Sequence, residues 1–549
     1  MFNKFRQECE NLLDGKRLEL PPRGVDADLA FPCFSLAKEQ KKAPQEIAKE
    51  LEQLLSRKEK KLVGEVKAQG PYLNFYINHK KFSPLALKII LKEKENYGAG
   101  RKNKKVVVID YSSPNIAKPL TIGHLSTTIV GQALYNIYTF LGYKCIGDNH
   151  LGDWGTQFGK LTCAYKKWGD KAKVEKNPIE ELLSLYVRFH KEAEQDPKLE
   201  DEAREWFRRL EEGNKEATTL WKWFVNVSMS EFNKLYKILG VRFDYFIGES
   251  FYIPIAKNIV GEVLRKNIAK KEQSAVVVTF EDMPTALVQK SDETTLYMTR
   301  DLATIKYQKK KFHFWKRLYV VGSEQKLHFR QLFKIAQLLG YIKEGECVHV
   351  DVGQISLPTG KISTRKGNVI FMEDVIKKTI ELAEKIIEEK NPKLKNKKIA
   401  AQKVGLGAIK YSNLSRDRSR DNTFDWDQML SFEGDTGPYL QYTYARANSI
   451  LKKSKKTGRV GKLTDVKETN MIKKLSKFSE TVEKAAAEYK PNLLANYLFE
   501  VATQFNEFYH SVHVIGAEDE SQKLALVESV MQVLENGLRL LGIDVLKEM

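Results

Sequence analysis

Residues Val106-Val-Val-Ile-Asp110 form an unbroken apolar run that ends in a carboxylate. It feeds directly into Tyr111-Ser-Ser-Pro-Asn-Ile-Ala-Lys-Pro-Leu-Thr-Ile-Gly-His-Leu125, a proline-rich turn opening onto helical sequence. A strand apolar on every side chain belongs in a parallel sheet covered by helices on both faces. The basic run Arg101-Lys-Asn-Lys-Lys105 just before it reads as a domain start. From there strands and helices alternate, with a helix from about 123, a strand over 143–149 and later strands at 275–280, 317–321 and 348–351. That order predicts a multidomain α/β chain built on a Rossmann-type, doubly wound parallel sheet.

The flanks differ in pattern. Residues 1–100 read as a small α+β domain, with a helix over 44–58 and a Gly70-Pro71 turn between two strand-like segments. The sheet domain is expected over 101–375, carrying a helical, highly charged insertion at 171–270. After about 375 the strands are expected to stop. A helical linker would run over 376–430 and an all-α bundle over 431–549, where Ile472, Leu475, Phe478, Val482 and Ala485 recur at helical spacing.

Composition narrows the classes. No apolar run is long enough for a transmembrane helix, and charges interrupt the first twenty residues, which predicts a cytoplasmic protein with no membrane partner. Five cysteines without a C-x-x-C pair exclude a disulfide scaffold or a cysteine zinc site, and no protein-bound metal is expected. Lys and Arg number 91 against 71 Asp and Glu, a net charge of +20. Such a surplus suits a polyanion, nucleic acid first, or else a merely solvated basic surface.

Two segments carry chemistry. In the first, Pro114 and Pro119 hold the chain turned before the helix, and Gly123 removes a side chain where the helix begins. The unpaired N–H groups there attract phosphate, and His124 can donate to a phosphate gaining charge in a transition state. Alone, a Gly-His pair is more often an ordinary turn. In the second, Pro358-Thr-Gly-Lys-Ile-Ser-Thr-Arg-Lys-Gly-Asn368 packs three cations and two hydroxyls between glycines. This suits a closing, pyrophosphate-gripping loop, or else a solvated basic one. It is not a Walker loop, because Ile355 stands where the first glycine belongs.

Thr121-Ile-Gly-His124 and Lys361-Ile-Ser-Thr-Arg365 together resemble the two signatures of class I aminoacyl-tRNA synthetases, usually written HIGH and KMSKS. The blocks around them resemble the arginyl-tRNA synthetase family specifically. They are Ser112-Ser-Pro-Asn-Ile-Ala-Lys-Pro119, Leu151-Gly-Asp-Trp-Gly-Thr-Gln-Phe-Gly159, Tyr297-Met-Thr-Arg-Asp301, Phe424-Asp-Trp-Asp-Gln-Met-Leu430 and Glu433-Gly-Asp-Thr-Gly-Pro-Tyr-Leu-Gln-Tyr442. The likeness spans essentially the whole chain, in order.

The resemblance implies a set of site residues. L-Arginine would be held through its guanidinium by Asp110 and Asp301, with Tyr297, Gln325 and Asn115 as further contacts. Paired carboxylates suit the planar fork of donors, although Asp301 beside Arg300 can equally be read as an internal ion pair. ATP would lie over Gly123 and His124, with its adenine near Val352, Gln354 and Ile355, and Lys361 on its phosphates. Thr121 stands where the family commonly has a first histidine. Ser363 completes the second signature, whose usual second lysine is missing, leaving Lys118, Arg365 or Lys366 to replace it. Mg²⁺ would accompany ATP.

The reaction implied is ATP-dependent charging of tRNA(Arg), through arginyl-adenylate and the 2′-hydroxyl of the terminal adenosine, with activation itself needing tRNA. The N-terminal domain would meet the tRNA elbow through Asn74, Phe75 and Tyr76, and the bundle would hold the anticodon with Tyr439, Tyr442, Tyr509, His513 and Met549. Splayed bases are stacked by exposed aromatics on basic surfaces, whereas a bundle tyrosine can also be simple core. A monomer is expected. The competing readings are a class I enzyme for another amino acid, or an inactive tRNA-binding paralogue. The two acidic residues and the retained His124 and Lys361 argue against them.

Overall fold

The computed structural model describes residues 1–22, 24–291, 296–356 and 370–549. The chain divides into two compact units. One comprises Gly100–Glu389 with Val404–Leu430, the other Met1–Ala99, Lys390–Lys403 and Ser431–Met549.

The first unit is built on a five-stranded parallel sheet. Its spatial order is Cys347–Val352, Lys316–Gly322, Val106–Asp110, Lys144–Asn149 and Tyr245–Phe246. The apolar strand that opens the domain is the middle one, and Val107, Val108 and Ile109 are all fully buried. Helix Ile122–Phe140 covers one face, and Gly131 lets it approach closely, since a Cβ there would meet the Tyr111 ring at 2.3 Å. Elsewhere in this unit, Tyr252, Ile259 and Val263 pack with Leu302, Ile305, Leu332 and Ile335 in one core. Strand order reverses between Val106–Asp110 and Lys316–Gly322. The carboxyl ends of those strands therefore flank the crevice in which doubly wound folds bind ligands.

Three expectations are corrected. Ala275–Val278 is a strand, but it belongs to a separate antiparallel sheet with Lys270–Glu272 and Ala286–Gln289. Gln273 and Ser274 both have left-handed φ, at 47° and 66°, so a two-residue turn folds the chain back on itself and only an antiparallel neighbour can form. The fifth strand of the main sheet, Tyr245–Phe246, lies inside the mostly helical segment read as an insertion between the halves of the sheet. Strands also do not stop at 375, because Asn422–Thr423 pairs in parallel with Ile355–Ser356. Both late additions are two residues long, too short to leave a periodic signal.

In the second unit, strands Leu29–Pro32, Tyr72–Ile77 and Val63–Gln69 form an antiparallel sheet with Tyr72–Ile77 in the middle. Helix His79–Glu93 leads from it onto bundle helices Val466–Ser476 and Glu520–Leu540. Tyr97 is buried beside Phe478 and donates its hydroxyl to the Leu475 carbonyl at 3.2 Å. The helical repeat read over 472–485 is two helices, Val466–Ser476 and Phe478–Ala487. Among the described residues no helix is long and apolar enough to cross a membrane.

Candidate functional site

The turn after the central strand is strained. Ser112, Ser113 and Ala117 all have left-handed φ, at 74°, 46° and 61°. Such backbone costs on the order of 1–3 kcal/mol per residue and persists only where its surroundings enforce it. Here they do. Asn149 Oδ1 accepts from the Ser113 N–H at 3.1 Å, and the Ser113 hydroxyl donates to Asp110 Oδ1 at 2.8 Å. Helix Lys215–Leu239 adds two more clamps. The Tyr236 hydroxyl lies 2.8 Å from Ser112 Oγ, and Ser228 Oγ accepts from the Ala117 N–H at 3.1 Å. Asn115 is exposed at the tip, bridged to Gly152, where a Cβ would strike its side chain.

Thr121 is the N-cap of the helix that follows, and it forms a reciprocal capping box with His124. The Thr121 N–H donates to His124 Nδ1 at 3.1 Å, and its hydroxyl lies 2.9 Å from the same nitrogen. Burial pushes the His124 pKa down to about 4, so the ring is neutral. With Nδ1 accepting, its one proton sits on Nε2, which is left as a donor. Gly123 is exposed, and among the described residues a Cβ there would have only Thr121 Oγ1 near it, at 3.6 Å.

The acidic residues have partners. Asp110 Oδ2 receives Arg317 Nη2 at 2.9 Å, and the same nitrogen is 3.5 Å from Asp148 Oδ2. Arg317 and Asp148 are fully buried. Burial opposes the Arg317 charge, yet its neighbours, Asp110 and Asp148 among them, hold the guanidinium above its ordinary value. Burial also raises the Asp148 carboxyl, against the pull of Arg317. Gln308 donates to Asp148 at 2.7 Å and to Tyr252 at 3.0 Å. Asp110 is thus neutralised by an arginine of the chain itself.

Asp301, on helix Tyr297–Phe312, is bound instead to His328 Nε2 at 2.6 Å. Its neighbour Arg300 does not pair with it. Arg300 reaches Glu249 at 2.6 Å and lies over the Tyr297 ring at 4.6 Å. Tyr297 is 65% exposed and Gln325 is exposed just past the Lys316–Gly322 strand. Burial pushes Glu249 up to about 7, outweighing Arg300, with Asp301 and Asp153 adding to the rise. Glu249 is fixed by the Leu151-Gly-Asp-Trp block. Its N–H donates to the Leu151 carbonyl at 3.0 Å, while Asp153 accepts from the Ser250 N–H at 2.8 Å. Glu249, His328 and Arg317 were missed in the sequence. Gly-Glu-Ser at the start of a helix reads as an ordinary acidic first turn, and the other two are single basic residues with no local pattern.

Val352 ends its strand, and the segment after it is already paired. The Gly353 N–H donates to the Arg418 carbonyl at 2.7 Å, the Gln354 N–H to Asp421 at 2.9 Å, and the Gln354 carbonyl accepts from Asn422 at 2.9 Å. Ile355 is buried. Lys361, Ser363, Arg365 and Lys366 lie outside the described residues. The chain after them returns to the first signature. The Ile122 N–H donates to the Ile370 carbonyl at 3.1 Å and Met372 to Leu120 at 2.8 Å. Lys118 is half-buried, with its ammonium 5.4 Å from the centre of the Tyr186 ring.

In the second unit, Tyr442, Tyr509, His513 and Met549 line one concavity of about 910 Å³. Lys393, Lys395, Lys453 and Lys547 also line it and make it basic. Arg446, not anticipated from sequence, lies over both tyrosine rings, at 4.9 Å from Tyr442 and 5.0 Å from Tyr509, and donates to Asn506 at 2.5 Å. Tyr439 stands behind it, its hydroxyl accepting from Asn506 at 2.8 Å. The N-terminal expectation is corrected. Phe75 is fully buried and Asn74 is 1% exposed, its Nδ2 donating to Gln69 Oε1 at 3.1 Å. Both belong to the middle strand of their sheet and are packed away from any RNA. Tyr76 is half-buried, with Lys67 against its ring at 5.6 Å.

Comparison with known families and structures agrees with this arrangement. Residues 86–426 match the family described as tRNA synthetases class I (R), catalytic domain. Residues 440–549 match the DALR anticodon binding domain, and residues 3–77 the arginyl tRNA synthetase N terminal domain. The chain is 46% identical to the arginine–tRNA ligase of Halothermothrix orenii, covering 99% of this chain and 96% of that one. It is 47% identical to one from Clostridium botulinum, covering 100% and 98%. Its fold is similar to that of Thermus thermophilus arginyl-tRNA synthetase, with a TM-score of 0.83, 26% identity and full coverage of both chains. With the catalytic match enclosing the His124 turn and the Asp301 helix, and the two other matches flanking it in order, the chain belongs to the arginyl-tRNA synthetases, ATP-using class I enzymes that are arginine–tRNA ligases.

Proposed function

We propose that the chain charges tRNA(Arg) with L-arginine in two steps. The arginine carboxylate attacks the α-phosphorus of ATP, the bond to the β-phosphate oxygen breaks, and pyrophosphate leaves. The 2′-hydroxyl of the terminal adenosine then attacks the acyl carbon, AMP leaves and the hydroxyl proton passes to solvent. The observation that carries this reading is the neutral His124, held by Thr121 at a helix N-terminus with Nε2, among the described residues, left as a donor. A donor fixed there in advance meets charge developing on the phosphate without reorganising.

Asp301 takes the guanidinium of the substrate, displacing His328, with Tyr297, Gln325 and Glu249 around it and Asn115 toward the carboxylate end. Asp110 shapes the floor through Arg317 and Ser113. Lys118 supplies a cation for the phosphates, joined by Lys361, Ser363 and Arg365. Adenine lies along Val352–Ile355. Mg²⁺ enters with ATP and offsets phosphate charge. The ligand trio Asp110, Asp148 and His150 does not suit it, because Arg317 already sits on both carboxylates. The concavity lined by Tyr442, Tyr509, His513 and Met549 takes anticodon bases, Tyr439 supporting it, and the N-terminal domain meets the tRNA elbow. The enzyme acts as a monomer in the cytoplasm.

Pyrophosphate exchange into ATP, run with each amino acid with and without tRNA, tests the whole reading. Exchange with arginine alone among amino acids, and only with tRNA present, is the expected result. Exchange with another amino acid would overturn the pocket, and exchange without tRNA would remove the tRNA requirement.

A further inference from the structure

Lys118 holds its charge in an unusual way. Its ammonium is half-buried, and among the described residues it has no carboxylate partner. It faces the Tyr186 ring at 5.4 Å, on helix Pro178–Gln195. A carboxylate would neutralise the ammonium and compete with any phosphate. The face of an aromatic ring attracts a cation through its quadrupole without neutralising it. The walls favour the same outcome. Ile116, Phe158 and Leu161 close in on a hollow of about 10 Å³ beside the lysine, too small to hold a ligand. Burial there lowers the Lys118 pKa, so the ammonium is poorly solvated and has more to gain from an anion.

The backbone beneath is fixed as well. Ala117 is left-handed and is tied by its N–H to Ser228 on helix Lys215–Leu239. Two helices of the insertion therefore hold one lysine, one through its backbone and one through its charge. His190, one turn after Tyr186, packs edge-on against that ring at 4.7 Å and fixes its orientation.

We propose that Tyr186 is a positioning residue for adenylate formation: it stores the Lys118 ammonium un-neutralised, in the turn that leads into helix Ile122–Phe140, until the phosphates of ATP take it over. This rests on the reading of Lys118 as a phosphate-facing cation. The insertion then does more than shape the outer surface of the domain. It keeps a signature-turn cation desolvated and available, which a solvent-exposed lysine would not be.

The test is a double-mutant cycle in arginine- and tRNA-dependent pyrophosphate exchange, using Lys118→Ala, Tyr186→Leu and both together, with Tyr186→Phe as the conservative variant. Tyr186→Leu is expected to lower kcat about tenfold, the equivalent of about 1.4 kcal/mol, with KM for arginine unchanged. Tyr186→Phe keeps the ring face and is expected to stay within about twofold of the parent. In the Lys118→Ala background, Tyr186→Leu is expected to add no further loss. The same tenfold loss in both backgrounds would mean that Tyr186 acts through the fold and would overturn the proposal. So would a large loss for Lys118→Ala with none for Tyr186→Leu, while leaving the role of Lys118 intact. Full activity of Lys118→Ala would sink the phosphate role of Lys118 and the storage role of Tyr186 with it.

Discussion

The backbone N–H of Thr121 donates to Nδ1 of His124 at 3.1 Å, so a helix cap sets the tautomer of the ring. Helix capping and ring orientation share one hydrogen bond. Position 121 is held by threonine, a strongly preferred N-cap, and its hydroxyl serves the helix as well as the ring.

His124 is expected to stay uncharged through the working pH range. Its folded pKa, about 4, lies below its ordinary value of 6.5. The unfolded chain therefore binds the extra proton first, and the stability His124 contributes is full above about pH 6.5 and lost as pH falls through 4. Thermal melts of His124→Gln against the parent, from pH 7 to pH 4, are expected to show a shallower decline in the variant. Exchange activity of His124→Gln is expected to fall on the order of 10²–10³-fold at pH 7.5. An unchanged rate would remove His124 from the chemistry.

Arg317→Met leaves Asp110 and Asp148 buried without their cation. Removing one partner of a buried ion pair costs about 3–5 kcal/mol. Calorimetry is expected to show a markedly lower Tm, partly recovered at low pH, where protonation of the carboxylates removes the unpaired charge. A melt like the parent's at neutral pH would contradict the pairing.

Glu249 gives a second pH signature of opposite sign. With its folded pKa raised from 4.5 to about 7, its protonated form stabilises the fold below 4.5, and that contribution is lost as pH rises through 7. A negative charge beside Asp301 favours a guanidinium, so KM for arginine is expected to fall as pH rises from 6 to 8. Glu249→Gln is expected to flatten that dependence. A parent KM independent of pH over this range would exclude Glu249 from arginine binding.

In the basic concavity, Tyr442→Ala removes a face on which a base can stack, an interaction worth about 1–3 kcal/mol. KM for tRNA is expected to rise about ten- to hundredfold, with kcat at saturating tRNA little changed. Arg446→Ala is expected to weaken tRNA binding too and to flatten its salt dependence. Titrations at two salt concentrations measure both effects, and a variant with the parent's affinity and slope would refute the pocket's role.

Much of this was legible in the sequence because its causes are local. Val106–Asp110 declares itself as a central strand by being apolar at nearly every position, and the start of the next helix, at Ile122, falls within a residue of the reading because Thr121 and Gly123 mark it. Partnerships across the fold were not legible. Arg317 looks like any surface cation in Lys316-Arg317-Leu318, and only the sheet brings it beneath Asp110. Phe75 is buried because its strand lies between two others, and strand order is not written in one strand's own residues. Ala275–Val278 has the apolar character of a main-sheet strand, and only the conformation of Gln273 and Ser274 sends it elsewhere.

The burial of Tyr97 against Phe478 and Leu475 bears on how the chain is made. Helix His79–Glu93 meets Phe5 through Phe82, but it packs most extensively on helices Val466–Ser476 and Glu520–Leu540, which are translated much later. At about 5–20 residues per second, the nascent N-terminal domain waits some tens of seconds outside the ribosome with that face uncovered. The intervening catalytic sheet can complete its own core in the meantime. Helix Glu520–Leu540, made long after His79–Glu93, is one of the elements that finally cover that face.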